Sequence, residues 1–588
     1  MAETVGDFLL KRLQQWGVKR VFGYPGDGIN GIVSAFGRTE AIEFVQVRHE
    51  EEAAFMAGGH AKFTGEVGVC LATSGPGAIH LLNGLYDAKL DHQPVVAIVG
   101  QAVRAALGGH FQQEVDLAAL FKDVAGQYVQ LCTAPAQARH LIDRAIRIAR
   151  SERCVTAIIV PNDVQEAEAV AEPPHAHGAM HSGFDFTQPD VQPKPADLQR
   201  AADILNSGEK VALLVGAGAA NAMREVLDVA ETLRAGIAKA LLGKAVLSDD
   251  LPFCTGQIGL LGTKASWTLM QGCDTLLMIG TTFPYGEFLP KEGQARCVQI
   301  DIDPKMLSLR YPAEVALVGD AALTLHALKP LLRPKSNGRW RDTIERAARD
   351  WWHEEGERAH LKADPVNPEL IYWEMSDRLP DDSLIAVDTG MSTTFFARAL
   401  RARYGMKVAV SGTLATMGPA ISYAAAGKFA FPSRPAFALV GDGAMQMLGI
   451  NALITVAKYW KRWPDPRFVV VVLNNGDLNM VSWELRAMGG SPKLPQTQDL
   501  PPFDYAAYAE MLGIGGMRIE RAADVQPGLE RALAARHPVL IDVHADPAVL
   551  ALPPHATFEQ TKKLFEALAK GDPDRGPIVR QLLREFVS

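Results

Sequence analysis

Hydrophobic positions along this chain recur at two spacings that take turns. Near the start, Val5, Phe8, Leu9, Leu13 and Trp16 fall at helical spacing, Gly17 ends the pattern, and a compact apolar run follows over 18–24. Similar runs lie at 43–47, 68–74 and 94–100, each separated from the next by a helix-like stretch. Buried strands alternating with helices are the pattern of a parallel sheet covered on both faces, so residues 1–175 are expected to form a doubly wound α/β domain. The alternation returns at 211–217, 275–280 and 297–303, predicting a second domain over 190–335. It returns again at 383–389, 407–412, 435–440, 468–474 and 538–544, predicting a third over 360–546. Residues 171–197 carry five prolines with His175, His177 and His181, and 333–339 reads RPKSNGR. Both are read as linkers, the first in preference to a histidine metal site. The remainder, 547–588, is a tail ending in an amphipathic helix. There Ile578, Leu582 and Phe586, flanked by Val579, Leu583 and Val587, oppose Arg580 and Arg584, and Pro577 can serve as the first helical residue.

Length and charge narrow the function. A chain of 588 residues exceeds a single core. A formal net charge of -8, with no basic run interleaved with aromatics, argues against nucleic acid and for small-molecule partners. The six cysteines are scattered without a C-x-x-C pair and read as reduced residues of a cytoplasmic protein. The opening MAETVGDFLLKRL lacks the pattern of a signal peptide, and no apolar run approaches membrane-spanning length.

The most chemical stretch runs from Pro435 to Asp477. An apolar run ends in Gly441-Asp442-Gly443, a helical segment follows, and a second apolar run closes on Asn474-Asn475. This describes a βαβ unit that brings Asp442 and Asn475 to one sheet edge, where hard oxygen ligands suit Mg²⁺ and a helix N-terminus suits a phosphate. In the first domain the crevice loops are Gly26-Asp27-Gly28 and Ser74-Gly75-Pro76-Gly77, and Glu50 opens a helix directly after a strand. Three consecutive glutamates there are also what a solvated helix start looks like. In the second domain Gly216-Ala217-Gly218 is an incomplete dinucleotide fingerprint, and Asp301 at a strand end can take a ribose hydroxyl.

Arg48-His49-Glu50, Gly441-Asp442-Gly443 and Asn474-Asn475, in this order along the chain, resemble the thiamine diphosphate-dependent 2-oxo acid decarboxylase and acetohydroxyacid synthase superfamily. The resemblance implies three α/β domains, pyrimidine-binding, central FAD-type and diphosphate-binding, with the cofactor between two subunits and hence a homodimer or homotetramer. It implies that Glu50 tautomerises the cofactor's pyrimidine, that Met417 props the bent cofactor and that the Ala415 carbonyl accepts from its amine. It gives Mg²⁺ to Asp442, Asn475 and the backbone carbonyl of Asp477. Gly26, Asp27, Gly75, Asn83, Gly390, Gly441 and Gly443 would complete the thiamine diphosphate surroundings.

Within the superfamily, GQIGLLGTKAS and IGTTFPYGEFLP before QIDIDP look like the FAD region of pyruvate oxidases and quinone-linked pyruvate dehydrogenases, with Gly259, Gly262, Thr281, Phe283 and Asp301 toward the flavin nucleotide. Leu260-Leu261-Gly262 stands where acetohydroxyacid synthases usually carry Gly-Met-His-Gly. The tail, LALPPHATFEQTK with its amphipathic end, also resembles the quinone-linked enzyme, implying contact with a membrane surface and a quinone acceptor. Gln113 matches the family's glutamine in Phe-Gln-Glu, and Glu484 an acidic residue near the substrate. Met480 stands where the oxidases have phenylalanine, and KYWKRWPDPR lengthens the interval from Asp442 to Asn475. The implied reaction is oxidative decarboxylation of pyruvate or a related 2-oxo acid to acetate and carbon dioxide. A carboligase of the acetolactate synthase type and a non-catalytic cofactor-binding relative are the alternatives.

Overall fold

The computed structural model describes residues 2–549 and 558–587. Residues 550–557, which carry much of LALPPHATFEQTK, and the side chains of Phe586 and Val587 lie outside the described residues. Three six-stranded, wholly parallel sheets follow one another along the chain, each packed between helices.

The first sheet contains β1 (Arg20–Gly23), β2 (Glu43–Gln46), β3 (Gly68–Ala72), β4 (Val95–Gln101), β5 (Val129–Leu131) and β6 (Val155–Pro161), in the order β2-β1-β3-β4-β6-β5. The second contains β7 (Val211–Val215), β8 (Gly236–Lys239), β9 (Cys254–Gln257), β10 (Thr275–Ile279), β11 (Arg296–Asp301) and β12 (Val315–Val318), in the order β12-β11-β10-β7-β8-β9. The third contains β13 (Leu384–Val387), β14 (Lys407–Val410), β15 (Ala436–Gly441), β16 (Phe468–Asn474), β17 (Gly515–Ile519) and β18 (Val539–His544), in the order β14-β13-β15-β16-β18-β17. The three-domain α/β reading is therefore correct.

Six strands lie outside the runs read from the sequence: β5, β6, β8, β9, β12 and β17. Three of them, β8, β9 and β17, contain glycine and are only four, four and five residues long. At the sheet edge, β12 alternates buried and exposed positions over four residues. Although β6 is buried along all seven residues, its apolar run follows closely on the helix Ala138–Glu152.

The first and third sheets share one core. Ala53, Ala54 and Ala57 of the helix Glu50–Thr64 and Ala424, Ala425 and Ala426 of the helix Ala420–Ala430 are buried in it together with Phe22, Tyr423 and Leu453. Small side chains let the two backbones approach, and a Cβ on Gly59 would come within 2.8 Å of the Tyr423 ring. Apolar on nearly every face, the helix Glu50–Thr64 is a buried helix rather than a surface one.

The linker 171–194 has no helix or strand, and the Ser182 carbonyl accepts from Arg139 Nε at 2.9 Å. Its three histidines are exposed and form no metal-capable group among the described residues. In the tail, a helix Phe558–Ala569 precedes the helix Arg575–Val587. The latter begins two residues before Pro577, which therefore sits within the first turn, where its missing N–H costs nothing. Ile578 and Leu582 pack on the third domain's core while Leu583 faces outward.

Candidate active site

In an open parallel sheet the loops part where the strand order reverses. In the third sheet this falls between β13 and β15, and the cleft there is lined by Gly390, Met417, Gly441, Asp442, Gly443, Asn475, Asp477 and Met480, among others. Gly390 takes φ 109° ahead of the helix Met391–Ala399, a conformation that favours glycine, and open space lies where its Cβ would be. The Met417 methyl group lies 3.1 Å from the position of a Cβ on Gly443, so a side chain there would press on the methionine.

Asp442 is buried at the end of β15. One carboxylate oxygen accepts from the Gly443 N–H at 2.9 Å, and the other from the N–H groups of Asn475 and Gly476 at 2.8 and 2.7 Å. Burial pushes its pKa up to about 6 against the pull of these donors. The Asp477 side chain is engaged elsewhere, accepting from Ser482 Oγ at 2.8 Å and from Asn479 Nδ2 at 2.9 Å and pairing with Lys493 at 3.2 Å. Its backbone carbonyl, one lone pair of which takes the Asn479 N–H at 2.7 Å, is the ligand it has left to offer. A carboxylate, an amide oxygen and a carbonyl lining one cleft make a donor set that fits a hard divalent cation.

The first sheet repeats the arrangement between β1 and β3. The Gly28 N–H donates to Asp27 Oδ1 and to Thr73 Oγ1, both at 3.0 Å. Gly75, at φ 61°, backs onto Gln113, whose Oε1 accepts from Ser74 Oγ at 3.1 Å. Across this crevice Glu50 is 8 % exposed, with Oε2 2.9 Å from His80 Nδ1 and Oε1 beside Gly77. The structure thus brings Gly26, Asp27, Gly75, Gln113 and Glu50 to one sheet edge.

The three glutamates take three different directions. Glu50 faces the crevice, Glu51 accepts from Asn83 Nδ2 at 2.6 Å, and Glu52 is fully buried against Thr455. A wholly solvated helix start does not describe them. Asn83 also donates to Thr416 Oγ1 at 2.9 Å, so its amide spans from the first domain to the third.

Among the described residues none of the first domain lines the Asp442 cleft, and no hydrogen bond or ion pair of Glu50 reaches it. Glu484 is exposed on the helix Asn479–Ala487, one turn beyond Met480, and does not line the cleft.

In the second sheet the order reverses between β7 and β10. There the Gly216 backbone packs on Gly280 and Thr281, and a Cβ on Gly259 would strike the Phe283 ring at 2.8 Å. Gly262 closes the same loop onto the Gln257 carbonyl, and Asp301 ends β11 with one oxygen on the Asp303 N–H at 3.0 Å. Phe283 and the half-exposed Tyr285 present rings 5.6 Å apart at this edge. Acidic acceptor, glycine loops and aromatic rim fit a dinucleotide with a planar ring.

Several polar groups at these edges have no local sequence signal. His80 stacks on His49 with centroids 4.4 Å apart. Tyr505 Oη donates to the Asp442 carbonyl at 3.1 Å. Asp388, after β13, accepts from the N–H groups of Gly418 and Ala420 at 2.8 and 3.2 Å, and burial pushes its pKa up to about 7.

Comparison with known proteins matches all three sheets. Residues 3–120 match the N-terminal thiamine pyrophosphate-binding domain of thiamine pyrophosphate enzymes, 198–328 their central domain and 388–543 their C-terminal thiamine pyrophosphate-binding domain. YdaP of Bacillus subtilis, described only as a thiamine pyrophosphate-containing protein, is 34% identical over 97% of this chain and 96% of its own length. Pyruvate oxidase of Lactiplantibacillus plantarum is 28% identical over 91% of this chain and 88% of its own. The large subunit of acetolactate synthase isozyme 2 of Escherichia coli is 30% identical over 92% of this chain and 95% of its own. With paired crevices in the first and third sheets and all three domain models matched in order, the chain belongs to the thiamine pyrophosphate enzymes, in the group that holds pyruvate oxidase and acetolactate synthase.

Proposed function

We propose that this protein decarboxylates pyruvate or a related 2-oxo acid oxidatively, giving acetate and carbon dioxide and passing the electrons through FAD to a quinone. Thiamine diphosphate, when bound, supplies the carbon nucleophile and the electron sink for decarboxylation. Asp442, Asn475 and the Asp477 carbonyl would hold the Mg²⁺ that neutralises the diphosphate, with Gly390, Gly441 and Gly443 letting backbone approach it. Met417 would fix the bend of the cofactor, and the Ala415 carbonyl would take its amine. Glu50 would hold a proton at the pyrimidine nitrogen, in reach of His80. Gln113 and Met480 would face the substrate, while Glu484, exposed one turn beyond Met480, stands outside the cleft.

The observation that carries the cofactor reading is the three-oxygen cleft at Asp442. Since among the described residues that cleft holds none of the first domain, Glu50 of a second subunit is the group that would complete it, in a homodimer or homotetramer. The oxidative branch is supported by the loops around Gly259, Thr281, Phe283 and Asp301 as an FAD site and by the pyruvate oxidase relative. The acetolactate synthase relatives favour a second reading, carboligation of two 2-oxo acids. Among the described residues no helix is long and apolar enough to cross a membrane. Contact with a lipid surface would instead use the exposed Phe565 and Leu583 of the tail helices.

The absorption spectrum of the purified protein, before and after anaerobic addition of pyruvate, tests this. A bound flavin that bleaches, with acetate as product, is the expected result. Acetolactate formed without flavin reduction would replace it by the ligase reading. Binding of the intact protein to lipid vesicles, lost when residues beyond Pro577 are deleted, tests the membrane contact.

A further inference from the structure

The segment Ser411–Met417 belongs to the third domain, yet side chains of the first domain hold both of its ends. At one end the Asp91 carboxylate accepts from the N–H groups of Gly412 and Thr413 at 3.0 and 2.9 Å. Asp91 is in turn held by Lys62 Nζ at 2.8 Å, and Lys62 also donates to the Val410 carbonyl at 2.7 Å, directly before the segment. At the other end Thr416 Oγ1 accepts from Asn83 Nδ2 at 2.9 Å, and Asn83 is oriented by Glu51 at 2.6 Å. The Thr416 N–H donates to Ser411 Oγ at 3.0 Å, closing the loop on itself.

Between the two holds lies Ala415 at φ 55°, in the left-handed region that alanine rarely occupies. Such a conformation persists where the surroundings over-determine it. Here they do so with buried, charge-assisted hydrogen bonds, since the Lys62, Asp87 and Asp91 side chains are at most 5 % exposed. Burial alone would raise the pKa of Asp91, but Lys62 and the backbone donors outweigh it and keep the carboxyl below the usual range. Lys62 lies in the last turn of the helix that Glu50 opens. The helix that presents Glu50 in one crevice therefore also anchors the loop beside the other.

We infer that Asp91, Lys62 and Asn83 are positioning residues that set Ala415 and Met417 for the thiamine diphosphate cleft, acting from the first domain of the same chain. This rests on the cofactor reading proposed above. It makes the Asp442 cleft dependent on the docking of the first domain as well as on its own sheet.

The test uses the full-length chain and two measurements. Hydrogen exchange of the cofactor-free protein over 407–419 is compared between wild type and Asp91→Asn, and thiamine diphosphate binding with Mg²⁺ is titrated by tryptophan fluorescence. Losing a charge-assisted bond is expected to speed exchange at the Gly412 and Thr413 amides and to weaken cofactor binding roughly tenfold. Thr416→Val is expected to weaken binding severalfold and Thr416→Ser to restore it; this pair decides the matter should Asp91→Asn fail to fold. Wild-type cofactor affinity in Asp91→Asn and Thr416→Val overturns the positioning role while leaving the cofactor reading intact. A wild-type protein that binds no thiamine diphosphate overturns the cofactor reading and this inference with it.

Discussion

Glu52 and Thr455 are separated by 403 positions and meet across the joint between the first and third domains, the carboxylate accepting the hydroxyl at 3.0 Å. The same carboxylate takes the Arg48 N–H at 3.2 Å, and its other oxygen has no hydrogen-bond partner. Burial raises its pKa from 4.5 to about 7. An acid whose pKa rises on folding binds its proton more tightly in the folded state, so its contribution to stability is complete below pH 4.5 and is lost as pH rises through about 7. Glu52→Gln keeps the shape without the charge. It is expected to flatten this part of the pH dependence and to be the more stable form at pH 8, by at most about 3 kcal/mol. Thermal melts of both proteins from pH 4 to pH 8 check this.

Glu50 is expected to act on the chemistry rather than on binding. Glu50→Gln retains the size of the side chain but cannot exchange a proton as a carboxyl group does. Carbon dioxide release from pyruvate should fall by roughly 10²- to 10⁴-fold while thiamine diphosphate still binds. Unaltered turnover refutes the role.

Asp442 is expected to act on binding. Asp442→Asn removes the charge from the oxygen cluster while retaining an acceptor for the neighbouring N–H groups. Loss of a direct ligand should weaken Mg²⁺-dependent cofactor binding by at least the roughly 10- to 100-fold typical of an outer-shell partner. Chelation with EDTA should abolish activity in the wild type, and added Mg²⁺ should restore it; activity indifferent to EDTA argues against a metal held here.

The tail is pinned by a buried ion pair. Arg486 Nε and Nη2 donate to the two oxygens of Asp572 at 2.8 and 3.0 Å, with both side chains at most 1 % exposed. Asp572→Ala strands the guanidinium, a loss of about 3–5 kcal/mol for a broken buried pair, lessened here by the remaining contact to Asp574. Limited proteolysis should then cut the chain beyond residue 557 at concentrations that leave the wild type whole. Equal resistance in both proteins would show that apolar packing of Ile578 and Leu582 alone holds the tail.

By itself the sequence determined the alternation of strand and helix, the three α/β domains and the residues at the strand ends. These are local properties: a run such as FVVVVLN is a buried strand in any context that buries it, and Gly-Asp-Gly turns wherever it stands. Of the strands it left unread, β8, β12 and β17 are short or half-exposed and acquire their conformation from the neighbours they pair with, whereas the buried β6 follows closely on the helix before it. Only the tertiary structure decided how three adjacent glutamates divide among a crevice, an asparagine and a buried threonine. Only it brought His80 to Glu50, Tyr505 to the Asp442 carbonyl, and Asp91 to a loop more than three hundred residues away. Burial and hydrogen-bond partner depend on which elements pack together, and residue type and spacing along one stretch of chain do not carry that information.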